Sequence, residues 1–182
     1  MKIRKMVHED LELMTKWLNT KEILEFFGDP SAPPSARQVQ EKYGPRIDGA
    51  IAVEPYIAET DGRPFAFLQG YRIANADYAN YGYVMDETIY GIDQFIGEPA
   101  LFNKGYGTRL VTEFVRFIFQ EKQADAIVLD PELSNPRAIR CYEKCGFRKV
   151  KKIEGNKKWL MEISRDTGIL QFSGSRESGG KQ

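Results

Sequence analysis

The 182-residue chain has one histidine, His8, and two cysteines, Cys141 and Cys145. That scarcity excludes whole classes of chemistry. A single histidine leaves little material for a Ser-His or Cys-His pair, and no His/Cys cluster has metal-ligand spacing, so no metal is expected. The two cysteines stand on one helical stretch, where their side chains share a face but a disulfide would distort the helix, and they read as reduced thiols. No apolar run approaches the ~20 residues needed to cross a bilayer, and Met1-Lys2-Ile3-Arg4-Lys5 leads into alternating sequence without an apolar signal segment. The expectation is a soluble, cytoplasmic protein with no membrane partner. Net charge is also absent, with 26 bases against 26 acids, which argues against a protein held on nucleic acid by general attraction to phosphate.

What is present is a globular composition, 42% hydrophobic and 29% charged, in a length that fits one domain. Residues 1–164 read as that domain. The stretch from Arg165 to Gln182, rich in Ser, Gly and charge, reads as a flexible C-terminal tail. Charge is unevenly distributed: from Ile73 to Asn103 there are five acids (Asp77, Asp86, Glu87, Asp93, Glu98) and no Lys or Arg, whereas Lys104 to Gln182 carries sixteen bases against ten acids. Solvated loop charges would account for this, and so would a cationic substrate meeting an anionic cofactor.

The periodicities give an order of elements. Lys2–Val7 alternates as a strand, and helical spacing follows to Asn19. A second helical stretch ends at Gly28, and Ser35 can cap a short helix to Tyr43. Ile51–Thr60 and Pro64–Ile73 form a hairpin about Asp61-Gly62-Arg63, and Thr88–Ile96 is another strand-like run. Gly105–Lys122 has the apolar stripe of an amphipathic helix, Ala126–Leu129 is a short buried strand, and Asn135-Pro136 opens a helix that Gly146 ends. Phe147–Ile153 and Lys157–Ile163 close the chain as a hairpin. The fold class is α/β with mixed α+β character: a mixed, twisted sheet of about six to seven strands with helices on both faces.

Lys104-Gly105-Tyr106-Gly107-Thr108 lies between a strand-like run and a long helix. Glycines there let the backbone turn sharply and aim successive N–H groups at one point, which together with the helix dipole favours an anion such as a pyrophosphate. Paired with Asn135-Pro136-Arg137-Ala138-Ile139-Arg140-Cys141-Tyr142-Glu143-Lys144-Cys145-Gly146-Phe147, it closely resembles the motifs of the GNAT superfamily of N-acetyltransferases over residues 1 to 164. The resemblance implies a V-shaped opening between the strands Thr88–Ile96 and Ala126–Leu129 that admits acetyl-CoA. It implies a pantetheine arm paired near Phe95 and Ile96, the pyrophosphate on the amides of Lys104, Gly105, Tyr106, Gly107 and Thr108, and further cofactor contacts from Asn135 and Arg137. The Tyr142 hydroxyl would protonate the departing thiolate. From the residues alone, Asn135 is equally a helix cap and Tyr142 equally a core aromatic with a wet tip. One departure is Phe102, where the superfamily often has Gln or Arg.

Acetylation of an amine needs a base or a water path to take its proton. Asp93 is the candidate, because a carboxylate inside the otherwise apolar run Tyr90–Ile96 is costly unless it faces a cleft or a partner. Gly91-Ile92-Asp93-Gln94-Phe95-Ile96-Gly97-Glu98-Pro99, with Leu129-Asp130-Pro131, is similar to the aminoglycoside 6'-N-acetyltransferase branch. That resemblance makes Asp93 the catalytic carboxylate and Asp130 a contact to the acceptor's amino groups, with Glu98, Glu87 and Trp17 as further candidates for the acceptor pocket. The implied partners are acetyl-CoA and a polycationic small-molecule amine acting on a monomer or homodimer. A diamine, a siderophore precursor or a protein N-terminus as acceptor stays open, as does a module that binds acetyl-CoA without catalysis.

Overall fold

The computed structural model describes residues 1–84 and 86–168. Strand β1 (Lys2–Lys5) is followed by a 3-10 turn (His8–Asp10) and helices α1 (Leu11–Trp17), α2 (Lys21–Leu24) and α3 (Ala36–Ile47). Then come β2 (Glu54–Thr60), β3 (Arg63–Arg72), α4 (Asn75–Tyr81), β4 (Ile89–Ile96), a second 3-10 turn (Pro99–Leu101) and α5 (Tyr106–Glu121). The chain closes with β5 (Ala126–Leu129), α6 (Pro136–Lys144), β6 (Arg148–Ile153) and β7 (Lys158–Ser164). The strands form one mixed seven-stranded sheet in the order β1-β2-β3-β4-β5-β7-β6, the α/β class expected from the periodicities. By internal packing the described residues fall into two compact units, Met1–Arg72 with Ile92–Leu110, and Ile73–Gly91 with residues 111–168.

In the first unit β1, β2 and β3 are an antiparallel meander, with Ile3 opposite Ala58 and Ile57 opposite Phe67. The β2–β3 turn is made by Asp61 and Gly62, both at positive φ, which is the turn chemistry that Asp-Gly favours. Its core gathers Met14, Trp17, Leu18, Val39, Tyr43, Ile57 and Phe67. Helix α3 starts as expected: Ser35 accepts from Gln38 N–H while Gln38 Oε1 accepts from Ser35 N–H, a reciprocal cap worth about 1 kcal/mol. It then runs past the expected end at Tyr43, through Gly44 and Pro45, to Ile47. Packing outweighs propensity here: Tyr43 is fully buried and Ile47 packs on the same core, and the Pro45 carbonyl still accepts from Ala50 N–H and Ile51 N–H. The basic end of β1 is tied down by Arg4, whose guanidinium donates to both Asp10 oxygens at 2.7 and 2.8 Å and to Glu59 at 2.6 Å.

In the second unit β4 and β5 run parallel, with the register Ile89–Ala126, Tyr90–Ile127 and Gly91–Val128. Strand β5 pairs antiparallel with β7, and β7 with β6. Phe114, Val115 and Ile118 on α5 are fully buried, as the apolar stripe requires. Helix α4 is an element the periodicities do not give. Its sequence Asn-Ala-Asp-Tyr-Ala-Asn-Tyr is poor in strong helix formers, but Tyr78 is buried with its hydroxyl donating to Glu87 O, and Gly82 closes the helix in the left-handed region. The expected flexible tail begins differently: residues 165–168 form a helical turn, and Arg165 donates from Nε to Ala124 O at 2.8 Å. The rest of that tail, residues 169–182, lies outside the described residues.

Candidate active site

Strand β4 breaks its apolar pattern at Asp93, and the first unit supplies the partner that such a carboxylate needs. Gln69 on β3 donates from Nε2 to Asp93 Oδ2 at 2.6 Å, and its Oε1 accepts from Arg46 Nη1 on α3, also at 2.6 Å. Gln69 is only 8% exposed, so both ends of its amide must be satisfied inside the protein. Asp93 forms part of the wall of a cavity of about 420 Å³ together with Phe27, Asp29, Gln38, Lys42 and Tyr43. The Arg46 guanidinium lies 5.2 Å and the Lys42 ammonium 5.4 Å from the centre of the Tyr43 ring. Burial pushes the Tyr43 phenol up to about 12, with Arg46 opposing and Asp93 adding to the rise. Burial and the neighbouring Arg46 charge lower the Lys42 ammonium, and the attraction of Asp93 offsets part of this. The cavity thus combines an apolar wall with two carboxylates, Asp29 and Asp93, and the Lys42 ammonium.

Beyond Asp93, Phe95 packs against Trp17, Phe27 and Phe67 with centroids 6.1, 4.7 and 5.4 Å apart, and Gly97 donates its N–H to Phe65 O at 2.7 Å. Trp17 is fully buried, and its indole N–H donates to Glu98 Oε1 at 2.9 Å. Trp17 and Glu98, candidates for the acceptor pocket by sequence, therefore meet each other at the end of β4, Trp17 from the core and Glu98 from the partly exposed side, where it also pairs with Lys16 at 3.6 Å, and neither is among the residues of the cavity wall.

The turn after β4 has the conformation its glycines suggest. Asn103 and Gly105 are at positive φ, 59° and 82°, and a side chain at Gly105 would meet nothing, so conformation alone calls for glycine there. The helix closes its first bond from Arg109 N–H to Gly105 O, so the amides of Tyr106, Gly107 and Thr108 form its first turn, at the positive end of a 16-residue helix. Lys104 is exposed beside them. Tyr106 is anchored edge-on against Phe65, 5.5 Å between centroids, and Phe102 packs on the core of this unit, so this turn can hold an anion by backbone amides and Lys104.

In the second unit Asn135 caps α6, its Oδ1 accepting from Ala138 N–H at 3.0 Å. Arg137 is exposed in the first turn, and Tyr142 is half-buried against Phe147, 6.1 Å between ring centroids. Asp130 receives the Lys158 ammonium at 3.0 Å, and Lys158 also reaches Glu154 at 3.0 Å. Desolvation works against that ammonium, but its hydrogen bonds to the two carboxylates outweigh it and hold the lysine above its ordinary range. The Asp130 carboxylate is therefore already paired within the chain. Glu87 accepts from Val84 N–H at 3.0 Å and closes the turn before β4. Cys141 and Cys145 are reduced thiols, and among the described residues no three His, Cys, Asp or Glu form a metal-binding group.

Gln69, Arg46, Lys42 and Tyr43 are site residues that the sequence reading passed over. A glutamine directly after the apolar run Phe65-Ala66-Phe67-Leu68, in a strand that continues through Gly70-Tyr71, carried the same signal as Asp93, a polar group in an apolar strand that needs a buried partner.

Residues 6–155 match the model of the acetyltransferase (GNAT) domain family. The chain is 37% identical to an aminoglycoside N(6')-acetyltransferase type 1 of Klebsiella pneumoniae over 147 residues, 81% of this chain and 73% of that protein. Among solved structures, the aminoglycoside acetyltransferase AAC(6')-Ib in complex with coenzyme A and kanamycin superposes with a TM-score of 0.79 at 32% identity, covering 94% of this chain and 98% of the other. AAC(6')-Ib in complex with paromomycin and acetyl-CoA superposes with a TM-score of 0.78 at 32% identity, covering 98% of each chain. The glycine turn before α5, the capped α6 and the placement of Asp93 on β4 thus sit in a known framework: the chain belongs to the GNAT acetyltransferase family and lies close to the aminoglycoside N(6')-acetyltransferases within it.

Proposed function

We propose that this protein transfers the acetyl group of acetyl-CoA to the 6'-amine of an aminoglycoside, in the cytoplasm, with Asp93 as the base. The observation that carries the reading is Asp93 itself: a carboxylate on β4, in the wall of a cavity large enough for one amino-sugar ring and held by a buried amide. The relatives named for 6'-acetylation, and the solved relatives that hold coenzyme A with an aminoglycoside, support the donor and the acceptor class.

The amides of Tyr106, Gly107 and Thr108, with Gly105 and Lys104, receive the pyrophosphate, because the first-turn amides and the positive helix end favour a doubly charged anion. The backbone of Phe95 and Ile96 pairs with the pantetheine arm, and Asn135 and Arg137 add polar contacts to the cofactor. The acceptor arrives as an ammonium and must lose a proton before its nitrogen can attack. Asp93 attracts the ammonium and takes that proton. The nitrogen lone pair then forms the new N–C bond at the thioester carbon, the C–S bond breaks as Tyr142 gives its proton to the leaving sulfur, and the second proton, shed by the new amide nitrogen, returns through water to the Tyr142 oxygen. Asp130 engages a second amine once Lys158 yields it. Trp17, Glu98 and Glu87 act in this reading by shaping the strand and turn on which the reacting groups sit.

Thiol release is the test. Purified protein with acetyl-CoA should release free thiol on addition of kanamycin or tobramycin, and Asp93→Asn should lower turnover by roughly 100-fold or more while acetyl-CoA binding persists. Release with simple diamines only would replace the acceptor class, and undiminished turnover in Asp93→Asn would remove the base assignment.

A further inference from the structure

We infer that Gln69 and Arg46 are positioning residues for Asp93: together they form a one-way hydrogen-bond chain that requires Asp93 Oδ2 to accept, which favours the carboxylate and leaves Oδ1 to take a proton. This deepens the proposed function and rests on its assignment of Asp93 as base.

The direction of the chain follows from chemistry. A guanidinium can only donate, so Arg46 Nη1 at 2.6 Å compels the amide of Gln69 to turn its oxygen toward α3. The same rotation turns the amide nitrogen toward β4, where it meets Asp93 Oδ2 at 2.6 Å. An amide nitrogen can only donate, so the oxygen it meets must accept. An ionised carboxylate has lone pairs on both oxygens, whereas a carboxylic acid that turned its O–H to this contact would set donor against donor. The chain therefore favours the form of Asp93 that can take a proton. Both contacts lie at the short end of the usual range, as expected where one end of each is ionised. Burial of Gln69 removes water as a substitute partner, so the alternative amide rotamer would leave Arg46 and Asp93 both unmatched. The groups that face Asp93 are Gln69 from β3 and, from α3, Lys42, Tyr43 and Arg46. Of these, Gln69 donates to it at 2.6 Å and has no charge of its own, so replacing it alters geometry and hydrogen bonding without altering net charge.

Gln69→Leu removes the donor to Asp93 and should lower kcat about tenfold or more, with the KM for acetyl-CoA within about twofold of wild type. The acid limb of the pH profile of kcat/KM should move to higher pH, since a carboxylate that loses a donor is protonated more easily. A residue that only supports the fold would lower activity without moving that limb. Arg46→Met should give a smaller loss, and the double variant should lose no more than Gln69→Leu alone, because Arg46 acts through Gln69. The double variant also removes both buried polar ends, which keeps the test available if Gln69→Leu by itself folds poorly. An unmoved acid limb, or losses that multiply in the double variant, would overturn the inference while leaving the acetyltransferase reading in place. Wild-type protein that releases no thiol with any amine would overturn both.

Discussion

Gly97 is the position where one added carbon should be felt most. A Cβ built there lies 2.1 Å from Trp17 Cδ2, 2.2 Å from Cε2 and 2.5 Å from Nε1, inside the indole ring rather than beside it. Ordinary contact needs about 3.4 Å or more between carbons, so either the ring or the strand end must move by more than an ångström. The ring has little freedom: Trp17 is fully buried, packs edge-on against Phe95 at 6.1 Å, and is tethered through its N–H to Glu98 at 2.9 Å. The strand end is no freer, because Gly97 N–H is bonded to Phe65 O at 2.7 Å. Overpacking of this kind costs about 1–3 kcal/mol, and the absence of a free direction places Gly97→Ala near the upper value. In a chain of this length about 3 kcal/mol corresponds to roughly 6–12 °C in Tm. Differential scanning calorimetry reads the loss directly, and the KM for acetyl-CoA should rise with it, since Phe95 and Ile96 precede the displaced residue. Gly97→Ala should cost less in a Trp17→Leu background than in wild type, because the clash is with the ring. A Gly97→Ala protein with unchanged Tm and unchanged KM would refute the packing argument.

Two further expectations concern charge. Burial disfavours the Asp10 carboxylate, but its hydrogen bonds from Arg4 and Val7 N–H outweigh this and hold it below its ordinary value of 3.8. Asp10→Asn should therefore destabilise by about 1.5–3 kcal/mol at neutral pH. The gap to wild type should stay constant above pH 3.8 and close as pH falls through the folded-state value; a gap that widens in acid would contradict the assignment. Lys158 has the opposite sign. Its ammonium is held above 10.5, so the stability it contributes is full below that pH and is lost as pH rises through the folded-state value. Lys158→Met should cost about 1 kcal/mol at pH 7, and denaturant titrations should converge with wild type in strong alkali.

Local chemistry made much of the fold readable. Four consecutive apolar residues bounded by polar ones gave Ala126–Leu129 as β5 at its observed ends, and Asn135-Pro136 announced α6 because a cap and a proline without N–H suit only a helix start. Glycine and asparagine near Gly105 pointed to a turn, and Asn103 and Gly105 have positive φ there. What escaped the sequence depends on partners distant along the chain. Helix α3 continues through Gly44-Pro45 because Tyr43 and Ile47 are buried against the core, which no local propensity records. Asp93 announced the need for a partner without naming it, since Gln69 and Arg46 come from two other elements. The same holds for Asp130, whose lysine lies on β7, and for Trp17, which is structural because Glu98 closes over it from another segment.

The central claim, acetyl transfer to a 6'-amine with Asp93 as base, is tested most directly by following thiol release from acetyl-CoA with kanamycin, for wild type and Asp93→Asn, and locating the acetyl group on the product by NMR. The account predicts steady release and an acetyl group on the 6'-nitrogen for wild type. For Asp93→Asn it predicts a turnover lower by roughly 100-fold or more with acetyl-CoA binding preserved. Wild-type protein that binds acetyl-CoA but releases no thiol with kanamycin, or an Asp93→Asn variant that turns over at the wild-type rate, would contradict it.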